Sequence, residues 1–134
     1  KKKRLMISSF KNYLIEEENT VYFTFGRMNP PTIGHEKLLN ELSKKSGGNP
    51  YRVYLAQSKD AKKNPLDYNY KIKTSRKFFP KHARQIMLNK KIKTVFDAVT
   101  QLYNEGFKNI AMVVGSDRVI EFIFVYYAFI IFYI

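Results

Sequence analysis

Hydrophobic residues along the chain switch between two rhythms. "TVYFTFG" (20–26) and "YRVYLAQS" (51–58) are short runs rich in β-branched and aromatic residues, and "NIAMVVG" (109–115) is almost wholly apolar. Such runs predict strands, and continuous apolar ones suit a parallel sheet buried on both faces. Between them the spacing lengthens to that of a helix. In "GHEKLLNELSKKSGG" (34–48), Leu38, Leu39 and Leu42 share one face, lysines gather in the last turn, and Gly47 and Gly48 stop it. Asp67 is placed to cap a second helix that runs to about Phe79 and is closed by Pro80. Thr94 with Asp97 three residues on reads as a capping box. The helix behind it buries Val95, Ala98, Val99, Leu102 and Tyr103 and ends at Gly106. "ARQIML" (83–88) fits either a short strand or a helix, and periodicity does not decide between them. Alternating strands and helices predict an α/β domain over 20–122, a doubly wound, Rossmann-like parallel sheet with helices on both faces.

Segments outside that span read differently. "MISSFKNYLIEEEN" (6–19) has Phe10, Tyr13 and Leu14 at helical spacing and reads as a helical extension within residues 1–19. "SDRVIEF" (116–122) begins another helix after the third strand. The tail "FIFVYYAFIIFYI" (122–134) is thirteen residues without a charge, too short for a helix across a bilayer. A buried strand is one reading of it. A truncated or out-of-frame end, with 123–134 outside the domain, is the preferred expectation. The start "KKKRLM" leads into no apolar signal core, and Met6 is a plausible true start.

Composition narrows the chemistry. With 134 residues, the chain has room for one core. It holds no cysteine, which removes disulfides, thiolate metal sites and a cysteine nucleophile and fits a cytoplasmic setting. His35 and His82 are the only histidines, too few for a histidine-rich metal site, and His82 reads as surface structure. The net charge of +13 is concentrated: residues 59–93 hold twelve Lys/Arg against two Asp. Either a solvated basic face or a polyanion-binding one would carry it. Lysines outnumber arginines 18 to 6, whereas bidentate phosphate sites favour arginine.

The densest chemistry lies in "FGRMNPPTIGHEKLL" (25–39), the turn from the first strand to the first helix. In a parallel α/β sheet this turn is the usual phosphate site, because the helix N-terminus presents unpaired N–H groups and a partial positive charge. Gly26 lets the backbone approach a ligand, Gly34 keeps the helix start bare, and Pro30 and Pro31 stiffen the loop that holds Thr32 and His35. Neither the Gly-rich Lys-Ser/Thr phosphate loop nor the three-glycine dinucleotide fingerprint is present.

"GRMNPPTIGH", with Thr32-Ile33-Gly34-His35 at its end, resembles the signature of the nucleotidyltransferase superfamily that carries a His/Thr-x-Gly-His motif. "LAQSKDAKKNPL" (55–66) is similar to the Ala-x-Ser…Lys-Lys-x-Pro segment of phosphopantetheine adenylyltransferases, with Asn64 inserted. "VVGSD" (113–117) resembles the Gly-x-Asp of nicotinamide-mononucleotide adenylyltransferases. The small cytidylyltransferase-like proteins of tailed phages look most alike, including the leader "FKNYLIEE". The superfamily's later Ser/Arg-bearing motif has no counterpart after Asp117, so the resemblance implies a domain incomplete at its C-terminus and puts turnover in doubt.

The resemblance implies transfer of a nucleotidyl group from ATP or CTP to a small phosphorylated or hydroxyl acceptor, with release of pyrophosphate. His35, Thr32 and Lys63 would be catalytic. Gly26, Arg27, Met28, Asn29, Gly34, Gly115 and Asp117 would meet the nucleotide, and Lys62 and Arg76 the acceptor. Mg²⁺ would ride on the triphosphate with little protein ligation. Two rivals stand beside this reading. One is an inactive family member serving as a phage structural or interaction protein. The other is a nucleic-acid-binding module using the 59–93 patch, with Tyr51, Tyr54, Tyr68 and Tyr70 available to stack on bases. No membrane partner is expected.

Overall fold

A computed structural model of the chain describes residues 20–57 and 66–115, together with the backbone of a strand at 128–133. The expected extension at 1–19 and the helix beginning at 116 lie outside the described residues. Among the described residues, four strands form one parallel sheet: β1 (Thr20–Gly26), β2 (Tyr51–Leu55), β3 (Asn109–Val114) and β4 (Ala128–Tyr133), in the order β2-β1-β3-β4. Ile86 adds a single parallel bridge to Val53 on the outer edge of β2, and the Met87 N–H donates to the Val53 carbonyl. The chain thus steps outward from β1 through β2 to Ile86, then returns to the other side of β1 for β3 and β4. The order reverses between β1 and β3.

Among the described residues, three α-helices connect β1, β2 and β3: α1 (Ile33–Ser46), α2 (Tyr68–Phe78) and α3 (Val95–Asn104), with a 3-10 helix at Pro80–Gln85. Alternate strand residues face opposite sides, so two cores form. On one side Tyr22, Val53, Leu55, Ala111 and Val113 pack under Leu39 and Leu42 of α1 and Tyr68 and Ile72 of α2. On the other, Val21, Phe23, Tyr54, Ile110, Met112 and Val114 pack under Ala98, Val99 and Leu102 of α3. The architecture is α/β, a parallel sheet flanked by helices and compatible with a Rossmann-like fold. No helix among the described residues is long and apolar enough to cross a membrane.

Local chemistry sets the helix ends. Asp67 caps α2 by accepting from the Asn69 N–H. Thr94 and Asp97 close the expected capping box, and the Lys93 and Thr94 N–H groups hold the Asp97 carboxyl below its usual range. Gly47 ends α1 in the left-handed region at φ 55°, where a Cβ would be strained.

Three expectations are corrected. Residues 83–88 form neither a full strand nor an α-helix; Pro80 opens a 3-10 helix, and the segment meets the sheet only through the Ile86 bridge and the Met87 N–H, both at Val53. The tail does not stand wholly apart from the domain, since Ala128–Tyr133 pairs along the whole of β3. Its uncharged β-branched and aromatic residues suit a strand in a parallel sheet. His82 is not surface structure. It is 3% exposed, its Nδ1 lies 2.8 Å from the Tyr51 hydroxyl, and its Nε2 lies 2.8 Å from Asn40 Oδ1. Burial pushes its pKa down, Lys81 adds to that, and Glu36 opposes it.

Candidate functional site: a pocket at the β1–β3 switch point

At the carboxyl ends of β1 and β3 a pocket of about 290 Å³ opens, and α1 begins against it. Thr24, Phe25 and Gly26 supply one wall, Val114 and Gly115 a second, and Met28, Thr32, Gly34, His35 and Leu38 the third. The Thr24 hydroxyl donates to the Val113 carbonyl at 2.7 Å and ties the two strands together at its floor. In open parallel sheets a crevice where the strand order reverses is the position at which ligands bind. Here the reversal and the pocket coincide.

Thr32 and His35 interlock. Thr32 is the N-cap of α1, with extended backbone, and its hydroxyl accepts from the His35 N–H at 3.4 Å. The Thr32 N–H in turn donates to His35 Nδ1 at 3.0 Å. This is a capping box in which histidine takes the place usually held by Glu or Gln. Because a backbone N–H can only donate, Nδ1 is the acceptor, and the ring proton of the neutral imidazole belongs on Nε2. The helix start therefore holds a histidine ring in one tautomer beside a positive dipole end.

The two glycines are open. A Cβ on Gly26 would meet no heavy atom within 4 Å, and one on Gly34 would sit 3.6 Å from Thr32 Oγ1. Neither has the positive φ that would demand glycine. Their value at this position is bare backbone beside the pocket. Left-handed backbone falls instead on Met28, at φ 45°, whose side chain is fully buried in the core while it lines the pocket. A non-glycine residue in that region is uncommon and costs on the order of 1 kcal/mol.

The pocket thus gathers Gly26, Met28, Thr32, Gly34, His35 and Gly115 of the expected set. Arg27 is exposed beside it and does not line it. Asn29 does not line it; its Oδ1 accepts from the Leu66 N–H at 3.1 Å. Arg76, expected at an acceptor site, instead grips the Ile86 carbonyl with Nε at 3.1 Å and Nη2 at 2.7 Å, so its fork secures the sheet edge. Lys62, Lys63 and Asp117 lie outside the described residues. Among the described residues no group of three or more His, Asp or Glu is placed to hold a metal ion.

Sequence reasoning missed Thr24, Phe25, Leu38 and Val114. The rule that ligands sit at strand carboxyl ends would have found the strand residues, and Leu38 lies one helical turn after His35. It also missed Lys71, which is fully buried in α2 and whose Nζ donates to the Ala56 carbonyl. Of the tyrosines available for stacking, Tyr54 and Tyr68 are buried in the core and Tyr51 is held by His82, which leaves Tyr70 exposed. No family model, curated protein or solved structure matches the chain.

Proposed function

We propose that this pocket binds a nucleoside triphosphate and that the protein is a nucleotidyltransferase of the type whose motif Thr32–His35 resembles. One observation carries the reading: a pocket at the switch point of a parallel sheet is closed on one side by a helix start that offers bare glycine backbone and an oriented histidine. The motif resemblance supplies the reaction. An acceptor oxygen attacks the α-phosphorus of ATP or CTP in line. The new P–O bond forms as the bond to the bridging oxygen breaks, and pyrophosphate departs with that electron pair; a hydroxyl acceptor gives its proton to solvent.

Such a reaction needs placement and charge stabilisation more than covalent chemistry. His35 donates from Nε2 to the phosphate oxygens as charge moves onto the leaving group. Thr32 holds the ring in that tautomer, and the α1 N-terminus adds its dipole. Gly26, Gly34 and Gly115 give the phosphates backbone access, Arg27 supplies positive charge at the rim, and Asp117 meets the ribose. Lys62 or Lys63 neutralises the acceptor, and Asn29 ties down the far end of the segment that carries them. The divalent cation arrives as part of the metal–triphosphate substrate.

His35→Ala tests the reading. The cap on α1 is weakened but the core is untouched, so the variant should fold and lose at least tenfold in affinity for ATP or CTP, or in pyrophosphate release. Unchanged affinity in a folded variant removes His35 from the site. Binding of RNA or DNA that falls steeply with salt, with no uptake of nucleotide, would favour the nucleic-acid module instead.

A further inference from the structure

Lysine is almost never fully buried, because its ammonium loses hydration. Lys71 is fully buried nonetheless, on the face of α2 that looks toward the exit of β2. Its Nζ donates to the carbonyl of Ala56, the first residue after that strand. The N–H of Ala56 donates to the Gly26 carbonyl at 2.8 Å. Gly26 is a wall of the pocket. A single line of hydrogen bonds therefore runs from the helix, across one residue at the strand exit, to the glycine beside which the ligand would lie.

We propose that Lys71 is a positioning residue for this pocket: acting through Ala56, its ammonium fixes the Gly26 wall and adds positive potential behind it. Two features set this apart from an ordinary structural contact. An apolar side chain would fill the same niche without the cost of desolvating a charge. Lys71 also stands close enough to Arg27 that, after burial, the guanidinium is the next cause holding its pKa below the usual lysine value. Two cations thus stand near each other behind the Gly26 wall and add positive potential there. The inference rests on the nucleotide reading for its ligand, though the geometry is testable without one.

The test compares Lys71→Met with wild type. Amide exchange is read at Ala56 relative to Ala111, which lies in the buried strand β3 and reports global opening. Ala56 should exchange at least tenfold faster in the variant while Ala111 holds. Affinity for ATP and CTP by calorimetry should fall at least tenfold, and Lys71→Arg should recover part of it. Unchanged exchange at Ala56, or faster exchange with wild-type affinity, overturns the proposal. If Lys71→Met does not fold, wild type decides: the Ala56 amide resonance must move with that of Gly26 as nucleotide saturates, and a static Ala56 overturns the proposal. Should wild type take up neither ATP nor CTP, the nucleotide reading falls, and the exchange ratio alone judges Lys71.

Discussion

Replacing Gly26 with alanine separates folding from ligand binding at a single methyl group. The added Cβ meets no heavy atom within 4 Å, and the backbone at this position is not left-handed. Folding should therefore tolerate the change, and loss of glycine's freedom in the unfolded chain should add about 0.4–1 kcal/mol of stability. Binding should behave in the opposite way. Gly26 lines a pocket of about 290 Å³, and on the proposed nucleotide reading its bare Cα would let a phosphate oxygen approach the backbone to about 2.9 Å. A methyl group there displaces the phosphate and costs one hydrogen bond to a charged group, about 1.5–3 kcal/mol. At 1.4 kcal/mol per decade this is roughly a 10- to 150-fold rise in Kd for ATP or CTP. Calorimetric titration and thermal unfolding of the same preparations give both numbers. Affinity within threefold of wild type, with the fold intact, would show that the ligand does not approach Gly26. A lowered melting temperature would show that the space beside it is not open.

Two further outcomes concern stability. His82 is buried and its folded pKa lies below the ordinary 6.5, so the unfolded chain takes up the proton first as pH falls. Stability should be full above about pH 6.5 and decline until the folded pKa is passed, with a slope no steeper than about 1.4 kcal/mol per pH unit. Denaturant titrations from pH 7.5 to 5 should show this slope, and His82→Gln should flatten it; an unchanged slope would assign it to other groups. Thr20 is fully buried in β1, and its hydroxyl has no partner among the described residues. Thr20→Val keeps the shape and removes an unpaired polar group, so chemical denaturation should show a gain of about 1–3 kcal/mol. A loss of stability would mean that the hydroxyl is satisfied after all.

Much of the architecture was legible along the chain because its signals are local. Thr94 and Asp97, Asp67, and the glycines after Ser46 fix helix ends through bonds that span a few residues. The apolar runs at 20–26 and 109–115 announce strands buried on both faces, and the glycine-rich turn with Thr32 and His35 is contiguous, so half of the pocket could be named in advance. The remainder depended on what folding brings together. Val114 and Thr24 are 90 positions apart and share a pocket only because β3 lies beside β1. Residues 83–88 had no decisive period; their place was decided by the one edge of β2 left open for Ile86. Charge counting put Lys71 in a basic patch with its neighbours, and only the packing of α2 shows that its ammonium points inward to Ala56. His82 read from the sequence as surface structure, and the fold buries it. Tyr51 and Asn40, far off in sequence, supply the two hydrogen bonds that let an imidazole be buried. Local sequence determines which backbone groups can be satisfied nearby, whereas a buried polar side chain declares itself only when the fold delivers its partner.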